Sequence, residues 1–265
     1  MRLKGNIELN NKILLFNRFK QWLIKIPIIS QIFTQLYIKV GREFQNQKVL
    51  YSKFIINNDL VFDVGACYGK KLVTFLQLNS RVIVIEPQKI CMNYLKNNFT
   101  CNNVSFIDKA LGETESTADF YEGKDHSLST MSKEWMAIVK ENHNNISHEW
   151  KNSYQVDVTT LDLLIEEYGM PSYIKIDVEG SELNVLKGLT KSVKMISFEY
   201  VKSNIQKSID CIKHINNIAN YEYNYSIGEN HRLELDLWQD YKLIMNILSG
   251  PDIPSWGDIF SRLKE

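Results

Sequence analysis

Short apolar runs rich in β-branched residues alternate along the chain with stretches in which apolar residues recur every three to four positions. The first pattern is typical of buried strands and the second of amphipathic helices, so an α/β fold with a mostly parallel sheet is predicted. The first three strands are predicted over residues 60–64, 81–85 and 104–107, and each has an acid at or just beyond its end: Asp63, Glu86 and Asp108. Because open α/β sheets bind ligands at the carboxyl ends of their strands, this edge is the predicted site.

The loop after the first strand carries the glycines expected of a ligand-binding turn. Residues 63–69 read Asp-Val-Gly-Ala-Cys-Tyr-Gly, so three residues separate Gly65 from Gly69. Dinucleotide-binding folds use Gly-x-Gly-x-x-Gly to bring the backbone against a pyrophosphate. The spacing here therefore favours a nucleotide-like cofactor that lacks a pyrophosphate. Glu86 follows 23 residues after Asp63 at the end of the second strand, where an acid can accept both hydroxyls of a ribose.

The rest of the chain continues the alternation of strands and helices. Strands are predicted over 118–121, 154–158, 173–176 and 193–200, and helices over 161–168, from 182 onward and over 205–218. Residues 221–225 and 233–237 are predicted to pair as an antiparallel hairpin at the sheet edge. Residues 122–153 are polar and rich in histidine, and they are predicted to form a long loop that gates the substrate.

Four motifs in this order resemble the FkbM family of S-adenosylmethionine-dependent methyltransferases. They are residues 63–69, Glu86-Pro87, Thr160-Leu161-Asp162 and residues 175–182, which read Lys-Ile-Asp-Val-Glu-Gly-Ser-Glu. The resemblance covers residues 55–200, and it implies a class I methyltransferase Rossmann-like fold with S-adenosylmethionine as the cofactor. That fold is a mostly parallel seven-stranded sheet with an antiparallel edge hairpin, here with added N-terminal helices. Cys67 departs from the family pattern, which commonly has Asn at that position.

The resemblance also implies which residues bind the cofactor. Gly65 and Gly69 would let the backbone approach its methionine end, and Asp63 would help to hold the ammonium group. Glu86 would bind the ribose hydroxyls, and Asp108 with the backbone near Ala110 would meet the adenine. The full predicted set is Asp63, Gly65, Ala66, Cys67, Gly69, Glu86, Pro87, Asp108 and Ala110.

An alcohol acceptor, which the family resemblance implies, loses a proton during methyl transfer, so a positioned base would help. Asp177 is the first candidate and Glu179 the second, because both lie where the strand before them ends. Alternatively, Asp177 organises the loop and Glu182 only begins a helix. His126 in the polar segment is a third candidate base, and Glu199 is a candidate substrate contact. No metal is expected, because Asp177 alone provides no set of converging ligands.

Composition indicates a globular protein with an uneven charge distribution. The chain has 265 residues, 44% of them apolar and 23% charged, and its net charge is zero. Residues 1–58 carry a net charge of +8, which the rest of the chain balances. Residues 10–46 predict two amphipathic helices broken at Pro27, too charged to span a bilayer but suited to peripheral contact with a membrane surface. We expect residues 1–50 to pack on or cap a cofactor-binding domain formed by residues 51–265.

The predicted function is transfer of a methyl group to a hydroxyl of a sugar in a glycan, glycolipid or glycosylated natural product. The alternative is a catalytically inactive subunit that only binds the cofactor. An NAD-dependent enzyme is disfavoured by the glycine spacing, and a nucleic-acid substrate by the net acidic charge of the catalytic region. The cysteines show no disulfide or zinc pattern, which fits a reducing cytoplasm. The oligomeric state is left open.

Overall fold

The computed structural model describes residues 42–142 and 149–264. Most of the predicted N-terminal helices, residues 10–41, lie outside this part, so their membrane contact stays a prediction. A compact unit begins at Gln45, and the helix Arg42–Tyr51 runs through the predicted domain boundary at residue 50. No helix in the described ranges combines the length and apolar character needed to cross a bilayer.

The described residues form eight helices and ten strands, many of them at the positions predicted from the sequence. The helices are α1 (Arg42–Tyr51), α2 (Lys70–Gln77), α3 (Lys89–Asn98), α4 (Lys133–Asn142), α5 (Leu161–Tyr168), α6 (Glu182–Lys187), α7 (Ile205–Ile218) and α8 (Tyr241–Leu248). The strands are β1 (Leu60–Val64), β2 (Arg81–Ile85), β3 (Val104–Ile107), β4 (Ala110–Leu111), β5 (Ser116–Gly123), β6 (Trp150–Thr159), β7 (Tyr173–Ile176), β8 (Met195–Val201), β9 (Tyr221–Tyr225) and β10 (Trp256–Leu263). Two short 3₁₀ turns cover His126–Leu128 and Lys202–Asn204.

The main sheet has seven strands in the order β3-β2-β1-β7-β8-β10-β9. All pairs from β3 to β8 are parallel, whereas β10 is antiparallel to both β8 and β9. A second sheet has three strands in the order β4-β6-β5. This architecture confirms the predicted fold class, a mostly parallel seven-stranded sheet with an antiparallel edge.

The central strands are buried because helices cover both faces of the sheet. Every residue of β1 and β7 is buried. Alternate residues point to opposite faces, so Phe62 and Ile174 join one apolar cluster while Val61 and Tyr173 join the other. A strand that is buried on both faces is mostly apolar along its whole length, which is why these strands were predictable.

The register of the sheet places a row of polar residues on one face. Asp63 of β1 pairs with Lys175 of β7, and Lys175 pairs with Ser197 of β8. Two residues further along, Asp177 and Glu199 therefore lie on the same face as this row. Asp258 of β10 pairs with Glu199. The fold thus collects acids from four adjacent strands at one edge.

The predicted hairpin between residues 221–225 and 233–237 is wrong. β9 pairs instead with β10, a strand that the sequence did not predict. Ile259 and Phe260 of β10 are completely buried, whereas Leu237 is 73% exposed, so burial of apolar area favours β10 as the partner. Residues 233–237 form no strand, and only Gln239 makes an isolated bridge to Tyr223.

The predicted long loop over residues 122–153 is also wrong. It contains a 3₁₀ turn at His126–Leu128, helix α4 and the first residues of β6. The side chain of Ser132 accepts a hydrogen bond from the N–H of Trp135, which caps the start of α4, and Trp135 and Val139 are buried. Two apolar residues four positions apart therefore anchor a helix in a segment whose overall composition is polar.

Candidate functional site

Two adjoining clefts lie at the carboxyl ends of the central strands. The first cleft is narrow and runs past the ends of β1 and β2. The second cleft is wider and lies over the ends of β1, β7, β8 and β10. Both clefts are lined by Gly65, Cys67, Asp177 and Glu179. The loop after β1 and the loop after β7 therefore form the boundary that the two clefts share.

Glu86 is held rigidly in the first cleft by the backbone. One carboxylate oxygen accepts the N–H of Cys67 and the other accepts the N–H of Gln88, both at 2.8 Å. Burial raises the pKa of Glu86 to about 7, and the two backbone hydrogen bonds limit the rise. Each oxygen keeps a further lone pair, so the group can accept hydrogen bonds from a diol. Pro87 and Ala110 line the same cleft.

The glycines of the loop after β1 are required by packing. Gly65 has φ 79°, and a Cβ there would overlap the carbonyl oxygen of Asp177. Gly69 also has φ 79° at the start of α2, and a Cβ would lie 2.8 Å from Leu95. Gly65 lines both clefts and Ala66 lines the second. The loop is therefore built by close approach of backbone to the β7 loop and to α3.

Cys67 stands at the turn of this loop with φ 48°. Its Sγ lies 3.9 Å from that of Cys91, and both cysteines are free. The Cys91 thiol donates to Gln88 Oε1 at 2.8 Å. Through its backbone N–H, Cys67 holds Glu86 in the first cleft, and any residue except proline could donate this hydrogen bond.

Asp63 is 2% exposed although it ends an apolar strand and lines the second cleft. Its Oδ2 has no hydrogen-bond partner among the described residues. Burial raises the pKa of Asp63 to about 7, while the nearby ammonium of Lys175 opposes that rise. A buried carboxylate without a partner is costly, so this oxygen is suited to a cationic ligand.

Lys175 supplies the buried positive charge of the polar row. Its Nζ lies 2.9 Å from Asp258 and 3.4 Å from Asp177. Burial alone would lower the pKa of Lys175, but the two carboxylates outweigh burial and hold it well above its usual value. Burial acts to raise the pKa of Asp258, but the charge and hydrogen bond of Lys175 together with the charge of Lys71 outweigh burial, and the pKa is lowered. The ammonium group of Lys175 therefore holds the carboxylates of Asp177 and Asp258 in place.

Two further carboxylates, those of Glu179 and Glu199, lie close to that of Asp177. Asp177, Glu179 and Glu199 each offer an oxygen, and these oxygens lie within 4.8 Å of one another. The expectation that Asp177 stands alone is therefore wrong, because β7 and β8 are neighbours and their ends place the three acids together. Burial, followed by the charge of Asp177, raises the pKa of both Glu179 and Glu199 well above the usual value. Thr130 holds the backbone of Glu179 with a 2.7 Å hydrogen bond to its carbonyl oxygen.

His126 lines the first cleft rather than the acid-lined second cleft. Its Nδ1 lies 2.9 Å from Nε2 of Gln88, and its ring packs edge-on against Tyr68. The structure therefore brings His126 to the end of the site that holds Glu86. Asp177 and Glu179 remain the better placed of the three candidate bases.

Asp108 is placed differently from the other strand-end acids. Its side chain is 52% exposed, and its carboxylate lies 3.8 Å from the ammonium of Lys96. It is not among the residues that line either cleft in the described part of the chain. A role for Asp108 at the adenine stays a prediction.

Several cleft residues were missed by the sequence reasoning. Gln88 connects Glu86, His126 and Ser129, donating to the Ser129 hydroxyl at 2.8 Å. Its position directly after the Glu86-Pro87 motif is a signal that could have found it. Asp258 gives no comparable signal, because it belongs to β10, whose pairing with β8 is a long-range event.

A family model described as the methyltransferase FkbM domain matches residues 63–229, which include all four motifs. The hexuronic acid methyltransferase AglP of Haloferax volcanii is 26% identical over 147 residues. That match covers 55% of this chain and 56% of the relative, so the chain spans just over half of the length of this protein.

Two solved structures show a similar arrangement. One is the TehB-like SAM-dependent methyltransferase of Corynebacterium glutamicum, with a TM-score of 0.44 and 9% identity over 90% of this chain and 100% of that one. The other is SMU.1697c of Streptococcus mutans in complex with SAH, with a TM-score of 0.43 and 8% identity over 85% of this chain and 99% of that one.

Proposed function

This chain belongs to the FkbM methyltransferase family, and on that premise we propose that it transfers a methyl group to a hydroxyl of a sugar. Membership confirms the family predicted from the four motifs and S-adenosylmethionine as the cofactor. The acceptor we propose is a sugar in a glycan, glycolipid or glycosylated natural product.

The observation that carries the proposal is the geometry of Glu86. A buried carboxylate whose two oxygens are fixed by Cys67 and Gln88 is preorganised to accept the two ribose hydroxyls of the cofactor. The nucleoside would then occupy the first cleft, beside Pro87 and Ala110. Asp63, with its unpartnered oxygen, is suited to the cofactor's ammonium group in the adjoining cleft.

The acceptor would enter the second cleft and meet the methyl group near the loop after β7. The acceptor oxygen forms a bond to the methyl carbon while the carbon–sulfur bond breaks, and its electron pair stays on the sulfur, which becomes a neutral thioether. The hydroxyl proton passes to a carboxylate, for which Asp177 is our first choice and Glu179 our second. Because the sulfonium is already a good leaving group, alignment of the three reacting atoms is the main task of the protein.

A sugar suits the second cleft for chemical reasons. The lining includes Asp177, Glu179 and Glu199, whose carboxylates can accept hydrogen bonds from hydroxyls. Trp256, which is 41% exposed, supplies a flat apolar surface at the same cleft. The relative from Haloferax volcanii is named for a hexuronic acid, and this supports a sugar acceptor without identifying the one used here.

Incubation of the protein with S-adenosylmethionine and a panel of oligosaccharides, followed by mass spectrometry, tests the acceptor. A product heavier by one methylene unit, formed by the wild type and strongly reduced in Asp177→Asn, is the expected result. Calorimetry then measures cofactor binding by Asp177→Asn. A variant that still binds the cofactor is folded, so its loss of activity reflects loss of the base. If methylated carboxylates or amines form while no hydroxyl is modified, the proposed acceptor chemistry is wrong.

A further inference from the structure

We propose that Cys67 and Cys91 form an oxidation site at the cofactor clefts, where a reversible disulfide between them weakens binding of S-adenosylmethionine. Their Sγ atoms lie 3.9 Å apart, and both cysteines are free. The oxidant is a peroxide or a small-molecule disulfide such as oxidised glutathione. The inference rests on the proposed function, because it concerns control of the cofactor site.

The two thiols are brought together by the packing of the loop after β1 against α3. Cys67 lies at the turn of that loop, and Cys91 lies in the first turn of α3. Leu95, one turn further along the same face of α3, would be 2.8 Å from a Cβ at Gly69. The sulfurs of a disulfide are about 2 Å apart, so each thiol has to move by about 1 Å. Because the contact joins separate elements, the spacing of the cysteines in the sequence does not indicate it.

The two cysteines differ in exposure, which sets the order of the reaction. Cys67 is partly exposed and lines both clefts, whereas Cys91 is completely buried. An oxidant that enters either cleft therefore meets Cys67 first. The contact with Cys67 and burial raise the pKa of Cys91, so its thiol stays protonated until Cys67 has reacted.

The reaction balances with hydrogen peroxide as the oxidant. The Cys67 sulfur attacks one oxygen of the peroxide, the O–O bond breaks, and water leaves as the sulfur becomes a sulfenic acid. The Cys91 sulfur then attacks the Cys67 sulfur, and the sulfenic hydroxyl leaves with the Cys91 proton as a second water. Each cysteine sulfur has lost one electron, and the peroxide has gained two. Thiol–disulfide exchange with reduced glutathione reverses the bond.

A disulfide would disturb both residues that fix the Glu86 carboxylate. Cys67 donates its N–H to one oxygen, and Gln88 donates its N–H to the other. The Cys91 thiol donates to Gln88 Oε1 at 2.8 Å, and a disulfide has no proton for this bond. Gln88 is 1% exposed and also donates to Ser129, so loss of the thiol donor favours rearrangement of this buried amide. The new bond would also draw Cys67 towards α3, so the group proposed to bind the ribose is distorted.

Glutathione redox buffers applied to the full-length Cys101→Ser protein test the proposal, because this background lacks the exposed thiol. After free thiols are blocked with iodoacetamide, peptide mass spectrometry should show a disulfide between Cys67 and Cys91, and dithiothreitol should remove it. Calorimetry should show that affinity for S-adenosylmethionine is about tenfold or more weaker in the oxidised protein. By linkage, saturating cofactor should shift the equilibrium towards the dithiol by the same factor.

Two variants in the same background control for other effects of the oxidant. Cys211→Ser removes another buried cysteine, in α7, and should leave the response to oxidation unchanged. Cys91→Ser should form no intramolecular disulfide and should instead retain glutathione on Cys67, which mass spectrometry detects as a mixed disulfide.

The outcomes separate this inference from the proposed function. Circular dichroism of the oxidised protein, with full recovery of affinity after reduction, should show that the fold is kept. Folded protein that forms no disulfide between Cys67 and Cys91, or that binds the cofactor equally in both states, would overturn the oxidation site and leave the proposed function intact. Unfolding on oxidation would also overturn it. Reduced protein that binds no S-adenosylmethionine would contradict the proposed function and, with it, the predicted effect of oxidation on binding.

Discussion

The carboxylate of Glu86 accepts a hydrogen bond of 2.8 Å from the backbone N–H of Cys67, 19 residues earlier in the chain. This contact joins the end of β2 to the loop after β1, so the acid and the glycine loop form one rigid unit. A loop that is fixed in this way before the cofactor arrives loses little conformational entropy on binding. The same contact explains how Cys67 can stand where the family commonly has Asn, since the backbone supplies the bond.

Gly65→Ala should destabilise the protein because the added methyl group has no room. The Cβ would overlap the carbonyl oxygen of Asp177, and alanine disfavours the φ of 79°. Gly228 also has positive φ, but the nearest atom to its Cβ is 3.4 Å away, an ordinary van der Waals contact. We expect Gly228→Ala to lower the free energy of unfolding by about 1 kcal/mol and Gly65→Ala by about 3 kcal/mol or more. Urea unfolding measures both, and equal losses would show that the overlap is unimportant.

Lys175→Met should be strongly destabilising because it leaves buried acids uncompensated. Asp258 and Asp177 lie within 3.4 Å of the Lys175 ammonium, and removal of one partner of a buried pair costs about 3–5 kcal/mol. The exposed pair of Lys191 with Glu166 gives the matched control, and Lys191→Met should cost less than about 1 kcal/mol. Asp258→Asn added to Lys175→Met should recover part of the loss. An additive or greater loss in the double variant would contradict the pairing.

Affinity for S-adenosylmethionine should fall as the pH is lowered through about 7. Burial raises the pKa of both Glu86 and Asp63 to about 7, and each acid has to be ionised to accept its part of the cofactor. Below that pH each protonation weakens binding about tenfold per pH unit, so log Kd rises as the pH falls and its slope against pH approaches about −2. In Glu86→Gln the slope should approach about −1. Binding that is independent of pH between 5.5 and 8 would refute this assignment.

Thr160→Ala should lower stability while leaving cofactor binding unchanged. The Thr160 hydroxyl accepts the N–H of Leu163 and caps α5, and such caps are worth about 1 kcal/mol. Leu161 is completely buried, and the Asp162 carboxylate accepts the N–H of Thr190. The Thr-Leu-Asp motif is therefore structural. Thermal unfolding and calorimetric titration of the same variant check the two halves of this prediction, and a large loss of affinity would contradict it.

Local patterns allowed much of this fold to be predicted. β1, β2 and β7 are mostly apolar and largely buried, and Glu86 follows directly from the residues that end β2. The partner of β9 was not predictable in this way. The partner is whichever of two segments, residues 233–237 or 256–263, buries more apolar area against β9. The alternation of apolar and polar residues within one segment does not predict which segment that is.

In the candidate site, too, some residues could be predicted from the local sequence and others could not. Glu86 and the loop glycines were identified because strand, turn and acid are contiguous in the sequence. The cluster of Asp177 with Glu199 depends on the adjacency of β7 and β8, and the Lys175–Asp258 pair depends on β10, 83 residues further along the chain. Residues that meet through strand order alone carry no spacing signal, so they required the structure.

The most direct test of the account is calorimetric titration of S-adenosylmethionine and its demethylated product into the wild type and Glu86→Ala. Glu166→Ala, which removes an exposed acid, is the control. We expect micromolar binding by the wild type and the control, and affinity about 10- to 100-fold weaker in Glu86→Ala, because hydrogen bonds to a charged group are lost. Folded wild-type protein that binds neither ligand, or Glu86→Ala with wild-type affinity, would contradict the account.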